Sequence, residues 1–74
     1  MNWQENIVSN PEIMFGKHCI KGTRIPVDLV VEKLANGETI EYFLTAYPRL
    51  TKEDVFACLQ YAASSVRNET IYAA

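Results

Sequence analysis

Apolar residues fall into two patterns along this chain: short runs broken by a glycine before residue 26, and a helical spacing of three and four after it. In the first part, Ile13-Met14-Phe15 and His18-Cys19-Ile20 flank Gly16-Lys17. A glycine opening a two-residue loop suits a type II′ turn, so the pattern predicts a β-hairpin over 13–20. So short a hairpin is marginal in water and is expected to pack on helices or to pair with a strand of another subunit.

From Pro26 the period changes. Proline fixes its own φ and pushes Ile25 into an extended conformation, so Pro26 is expected as the first residue of a helix, with Asp28 near its positive end. Val27, Val30, Val31 and Leu34 form its apolar face, and Asn36-Gly37 supplies a left-handed stop. Thr39 caps a second, two-turn helix carrying Ile40, Phe43, Leu44 and Tyr47, which Pro48 ends. Thr51 caps a third, with Asp54 completing a capping box and Leu50 and Val55 placed for a hydrophobic staple. Its buried stripe is expected at Val55, Leu59, Ala62 and Val66, widened by Phe56 and Ala63. The fold class is therefore mainly α: a trihelical helix-turn-helix bundle with a short N-terminal β-hairpin. The expected division is hairpin and loop over 7–25, three helices over 26–66 and a tail over 67–74.

With 74 residues the chain is expected to be a single domain. Domains this small usually rely on disulfides, a metal or a partner chain. Cys19 and Cys58 read as free thiols, and His18, the single histidine, cannot build a zinc site with them, so neither metal nor cofactor is expected. Association with other copies, a dimer first of all, is the remaining expectation. No apolar run of about 18 residues is present, and Met1-Asn2-Trp3-Gln4-Glu5 lacks the basic start of an export signal, so a cytoplasmic protein without membrane contact is expected. A net charge of -2 disfavours unaided, non-specific binding to nucleic acid, and any DNA contact must be local.

Gly16 to Val27, containing Gly22-Thr23-Arg24 and Pro26-Val27, is followed by Leu34-Ala35-Asn36-Gly37, Tyr47-Pro48-Arg49-Leu50-Thr51 and Ala57-Cys58-Leu59-Gln60-Tyr61-Ala62. This constellation resembles a small bacterial family, domain of unknown function 433, over about Ile7 to Ala62. The resemblance implies a homeodomain-like trihelical fold with a small N-terminal β element. It also implies an antitoxin of the VapB type, since similar domains accompany PIN-like ribonuclease toxins. His18 stands where the family pattern usually has proline, which bears on the hairpin turn.

Candidate sites follow from charge and from aromatic residues. Lys17, Lys21 and Arg24 gather around Gly22, the one basic concentration in the chain, and suit phosphate; the plainer reading has Thr23 organising the turn while Arg24 pairs with Asp28 or Glu32. The outward face of the third helix is expected to hold Lys52, Glu53, Ala57 and Gln60, with Tyr61 or Ser64 beside them. Of these Lys52 and Gln60 suit DNA, while Glu53 and Asp54 would repel phosphate, and the plainer reading is a solvated face. Trp3, Tyr61, Ile71 and Tyr72 are candidate anchors for a protein partner, against the reading of isolated apolar residues on a surface. His18 and Cys19, as strand neighbours, point to opposite faces and cannot form a nucleophile-base pair, so no catalytic residue is assigned and no enzyme is expected. The function these readings favour is an antitoxin-like regulatory protein that self-associates, neutralises a PIN-like ribonuclease and binds operator DNA. The alternative is a protein-protein interaction module with no DNA role.

Overall fold

Three helices, α1 (Val27–Ala35), α2 (Ile40–Ala46) and α3 (Lys52–Arg67), follow an antiparallel hairpin of β1 (Ile7–Ser9) and β2 (His18–Ile20). A single 3-10 turn, Trp3–Glu5, precedes β1. The computed structural model describes residues 2–12 and 14–68.

Local capping sets the helix boundaries. Pro26 occupies the N-cap of α1 rather than its first turn, because its ψ of 146° is still extended and its carbonyl accepts the amide of Val30. At the other end Glu38 N–H reaches the Lys33 carbonyl and Gly37 N–H that of Leu34, a Schellman closure made possible by the φ of 100° at Gly37. Thr39 Oγ1 accepts from Tyr42 N–H at the start of α2. The predicted box at α3 is complete: Thr51 Oγ1 accepts from Asp54 N–H at 3.2 Å, and Asp54 Oδ2 accepts from Thr51 N–H at 3.0 Å. Leu50 and Val55, the expected staple, are both buried.

The hairpin differs from its prediction in one strand. β2 is where the pattern puts it, but it pairs with Ile7–Ser9, in the register Ile7↔Ile20, Val8↔Cys19, Ser9↔His18. Of the expected first strand over 13–15, Ile13 lies outside the described residues, and Met14 and Phe15 belong to a 3-10 turn, Met14–Gly16, instead. Phe15 and Gly16 have φ of 59° and 82°, a left-handed double step incompatible with a ladder, and Ser9 Oγ donates to the Gly16 carbonyl to hold it. Upstream, Asn10 Oδ1 accepts from Glu12 N–H, turning the chain at Asn10-Pro11. Phe15 is consequently fully exposed.

Ile7 and Ile20 face inward from the hairpin onto Val27 and Val30 of α1, Phe43 of α2, and Val55, Ala57 and Cys58 of α3. Phe43 is wholly buried, with Tyr47 stacked 6.2 Å away and Tyr42 edge-on at 5.4 Å. This core fixes which face of α3 turns outward.

Candidate functional site

Lys17, Lys21 and Arg24 do not form one patch of free charge. Lys17 Nζ lies 2.8 Å from Asp28 Oδ2 in an ion pair between two exposed side chains. Lys21 and Gly22 form the turn into α1. The positive φ of Gly22 lets Thr23 N–H and Oγ1–H both reach the Ile20 carbonyl, while Thr23 Oγ1 accepts from Ile25 N–H. Thr23 thus organises the turn, and Asp28 is taken by Lys17 rather than by Arg24. Arg24 instead flanks an open hollow of about 650 Å³ together with Arg49, from the α2–α3 connection, and with Ser9, Asn10 and Thr23. Among the described residues no carboxylate lines this hollow and neither arginine is in an ion pair. Arg49 is a site residue that the charge pattern of the sequence does not mark; its signal is the Pro48-Arg49 turn, which the fold carries across to Arg24.

The outer face of α3 departs most from expectation. Leu59, placed at the centre of the buried stripe, is 40 % exposed, as is Phe56, and Val66 is 64 % exposed. Ala57, expected outside, is fully buried with Val55 and Cys58. The helix is rotated because two polar residues are drawn inward by the N-terminal segment: Asp54 Oδ1 accepts from Asn6 Nδ2 at 3.0 Å, and Tyr61 Oη is 3.1 Å from His18 Nδ1. The exposed arc therefore carries Phe56, Leu59, Ala63 and Val66, flanked by Lys52, Glu53, Gln60 and Arg67. Lys52 and Gln60 are exposed as predicted, but they border an apolar strip.

Trp3 and Tyr61, two of the candidate anchors, meet each other edge to face at 4.9 Å and 87°, and Tyr61 lies 4.7 Å from the His18 ring. Both are half-buried: Tyr61 is committed inward, whereas Trp3 also walls a hollow of about 260 Å³ on α3 with Gln60, Ala63, Ser64 and Arg67. Ile71 and Tyr72 lie outside the described residues.

Neither cysteine is arranged as a nucleophile. Cys19 is buried on the face of β2 opposite His18. Burial first, and then the carboxylate of Asp54, together push the Cys58 thiol up to about 12. Among the described residues no helix is long and apolar enough to cross a membrane.

Comparison with known proteins agrees with this fold. The profile of the family described as protein of unknown function, DUF433, matches residues 7–62. A crystal structure of a DUF433 member protein from Anabaena variabilis superposes with a TM-score of 0.80 at 33% identity, over 86% of this chain and 63% of that one. Uncharacterized protein y4eO of Sinorhizobium fredii is 34% identical over 62 residues, which is 84% of this chain and 28% of that relative. This chain thus spans less than two thirds of either protein.

Proposed function

The chain belongs to the DUF433 family, and we propose that it is an antitoxin-like regulatory protein of the cytoplasm, acting by docking protein chains rather than by catalysis. The observation that carries this reading is the outer face of α3. A helix that reads bases offers hydrogen-bonding side chains to the groove. This one offers Phe56, Leu59, Ala63 and Val66, all exposed. Apolar side chains in a contiguous exposed strip suit a protein interface. The partner proposed is a PIN-like ribonuclease, with the segment 67–74 and its Ile71 and Tyr72 assigned to its capture. Contact with operator DNA is confined to phosphates met by Lys21, Arg24 and Arg49.

Co-expression with a PIN-like ribonuclease, followed by an RNA-cleavage assay, tests this. The full chain should suppress cleavage, and a chain lacking 67–74 should suppress it less. Equal cleavage with and without the protein overturns the antitoxin-like reading. A docking module without a DNA role is the second reading, favoured because Lys17 is neutralised by Asp28 and because Glu53 and Asp54 stand at the leading end of α3. Salt-dependent binding of a DNA duplex by the full chain decides against it.

A further inference from the structure

We propose that the outer face of α3 is covered by α3 of a second copy of this chain, lying antiparallel to it about a two-fold axis that passes beside Gln60. This rests on the reading of α3 as a docking face and names its occupant. Three observations converge on it.

The exposed apolar residues Phe56, Leu59, Ala63 and Val66 run along α3 as a seam, three and four residues apart, on which a second helix can lie. Beside this seam, Gln60, Ala63, Ser64 and Arg67 stand at i, i+3, i+4 and i+7 around a hollow of about 260 Å³ that Trp3 closes on one side. Four residues in that arrangement are the hole that receives one side chain of a facing helix, and alanine at its middle makes it deep. On an antiparallel helix centred at Gln60, the residue opposite the middle of the hole is Phe56, a large, exposed ring. Phe56 stands four residues before Gln60, and Ser64, in the middle of the hole, four residues after it. The patch is therefore complementary to itself, as a two-fold interface requires.

Charge selects the direction. The same axis sets Glu53 of each copy against Arg67 of the other, on the same flank of the seam, while Gln60 meets its neutral counterpart. A parallel pair would instead stack Lys52 on Lys52, Glu53 on Glu53 and Arg67 on Arg67, and like charges in register repel.

Sedimentation of the full chain at micromolar concentration should show a dimer. Glu53→Arg and Arg67→Glu should each weaken it at least tenfold, and the double variant E53R/R67E should restore it. All three positions probed, 53, 60 and 67, are exposed, so far-UV circular dichroism should stay unchanged throughout. Gln60→Cys should cross-link to itself under mild oxidation. Glu53→Cys and Arg67→Cys should cross-link only when mixed. A wild-type monomer across the micromolar range, or self-linking of Glu53→Cys, overturns the proposal. If the wild type is monomeric yet Phe56→Asp abolishes capture of the co-expressed ribonuclease, self-pairing falls while the docking reading stands. If it is monomeric and Phe56→Asp changes nothing, both fall.

Discussion

Val55 and Val66 sit on the same helix, and shortening each to alanine separates the two possible rotations of α3. Val55 is fully buried, whereas Val66 is 64 % exposed. Val55→Ala removes two buried carbons, about 0.8 kcal/mol each in transfer, and leaves a void that α1 and the hairpin cannot fill, so the loss should total about 2–3 kcal/mol. Val66→Ala removes the same atoms from a mostly wet position, and alanine is the better helix former, so stability should change by no more than about 0.5 kcal/mol. A domain of this size has about 4–11 kcal/mol to lose, so the first effect is a large share of the whole. Urea unfolding at low protein concentration, where subunit pairing does not contribute, reads the difference directly. With a slope of about 1 kcal/mol/M the midpoint should fall by about 2–3 M for Val55→Ala and by less than about 0.5 M for Val66→Ala. Equal shifts would refute the rotation deduced from Asn6 and His18 and would return Val66 to the core.

Leu59→Ala, at the centre of the predicted stripe, should cost about 1–1.5 kcal/mol in the same assay, less than a buried leucine would, because 40 % of the residue is already in water. Asp54→Ala breaks two hydrogen bonds, to Thr51 N–H and to Asn6, and should lower stability by about 1–2 kcal/mol; Thr51→Ala, which removes only the cap, should cost about 1 kcal/mol. The Cys58 thiol should resist thiol reagents at neutral pH in the native protein. Its proton leaves the unfolded chain near 9.0 but the folded one near 12, so the stability it contributes is complete below pH 9 and is lost as pH rises through that window; Cys58→Ala should flatten this dependence. In DNA titrations at several salt concentrations, Arg24→Ala and Arg49→Ala should weaken binding equally for all sequences and lower the salt slope, while Gln60→Ala should leave the slope unchanged.

Features written into neighbouring residues could be read from the sequence. The N-caps at Thr39 and Thr51, the stop at Asn36-Gly37 and the break at Pro48 depend on side chains and backbone within a few positions, and the helices begin and end where these signals stand. The first strand was not legible, because Ile7-Val8 is a shorter run than Ile13-Met14-Phe15 and its pairing depends on the left-handed pair Phe15-Gly16. The rotation of α3 was hidden for a similar reason. Asp54 and Tyr61 look like surface residues until Asn6 and His18 are brought to them. Of the candidate site, Arg24 could be found in its Gly22-Thr23-Arg24 context, but its neighbour Arg49 belongs to another turn and is placed there by the tertiary fold alone.

The links between α3 and the N-terminal segment also bear on how the chain is made. Asn6 waits for Asp54, across a separation of 48 residues, and His18 for Tyr61, across 43, while Trp3 lies against that same tyrosine. During synthesis the ribosome releases the hairpin long before the helix that completes it. Until α3 has emerged, Ile7, Ile20 and Trp3 have only part of their eventual cover, and a two-stranded hairpin does not stand alone. Folding of this domain is thereby deferred until α3 has been made. A stop introduced before Tyr61 should yield an open, protease-sensitive fragment rather than a smaller folded protein.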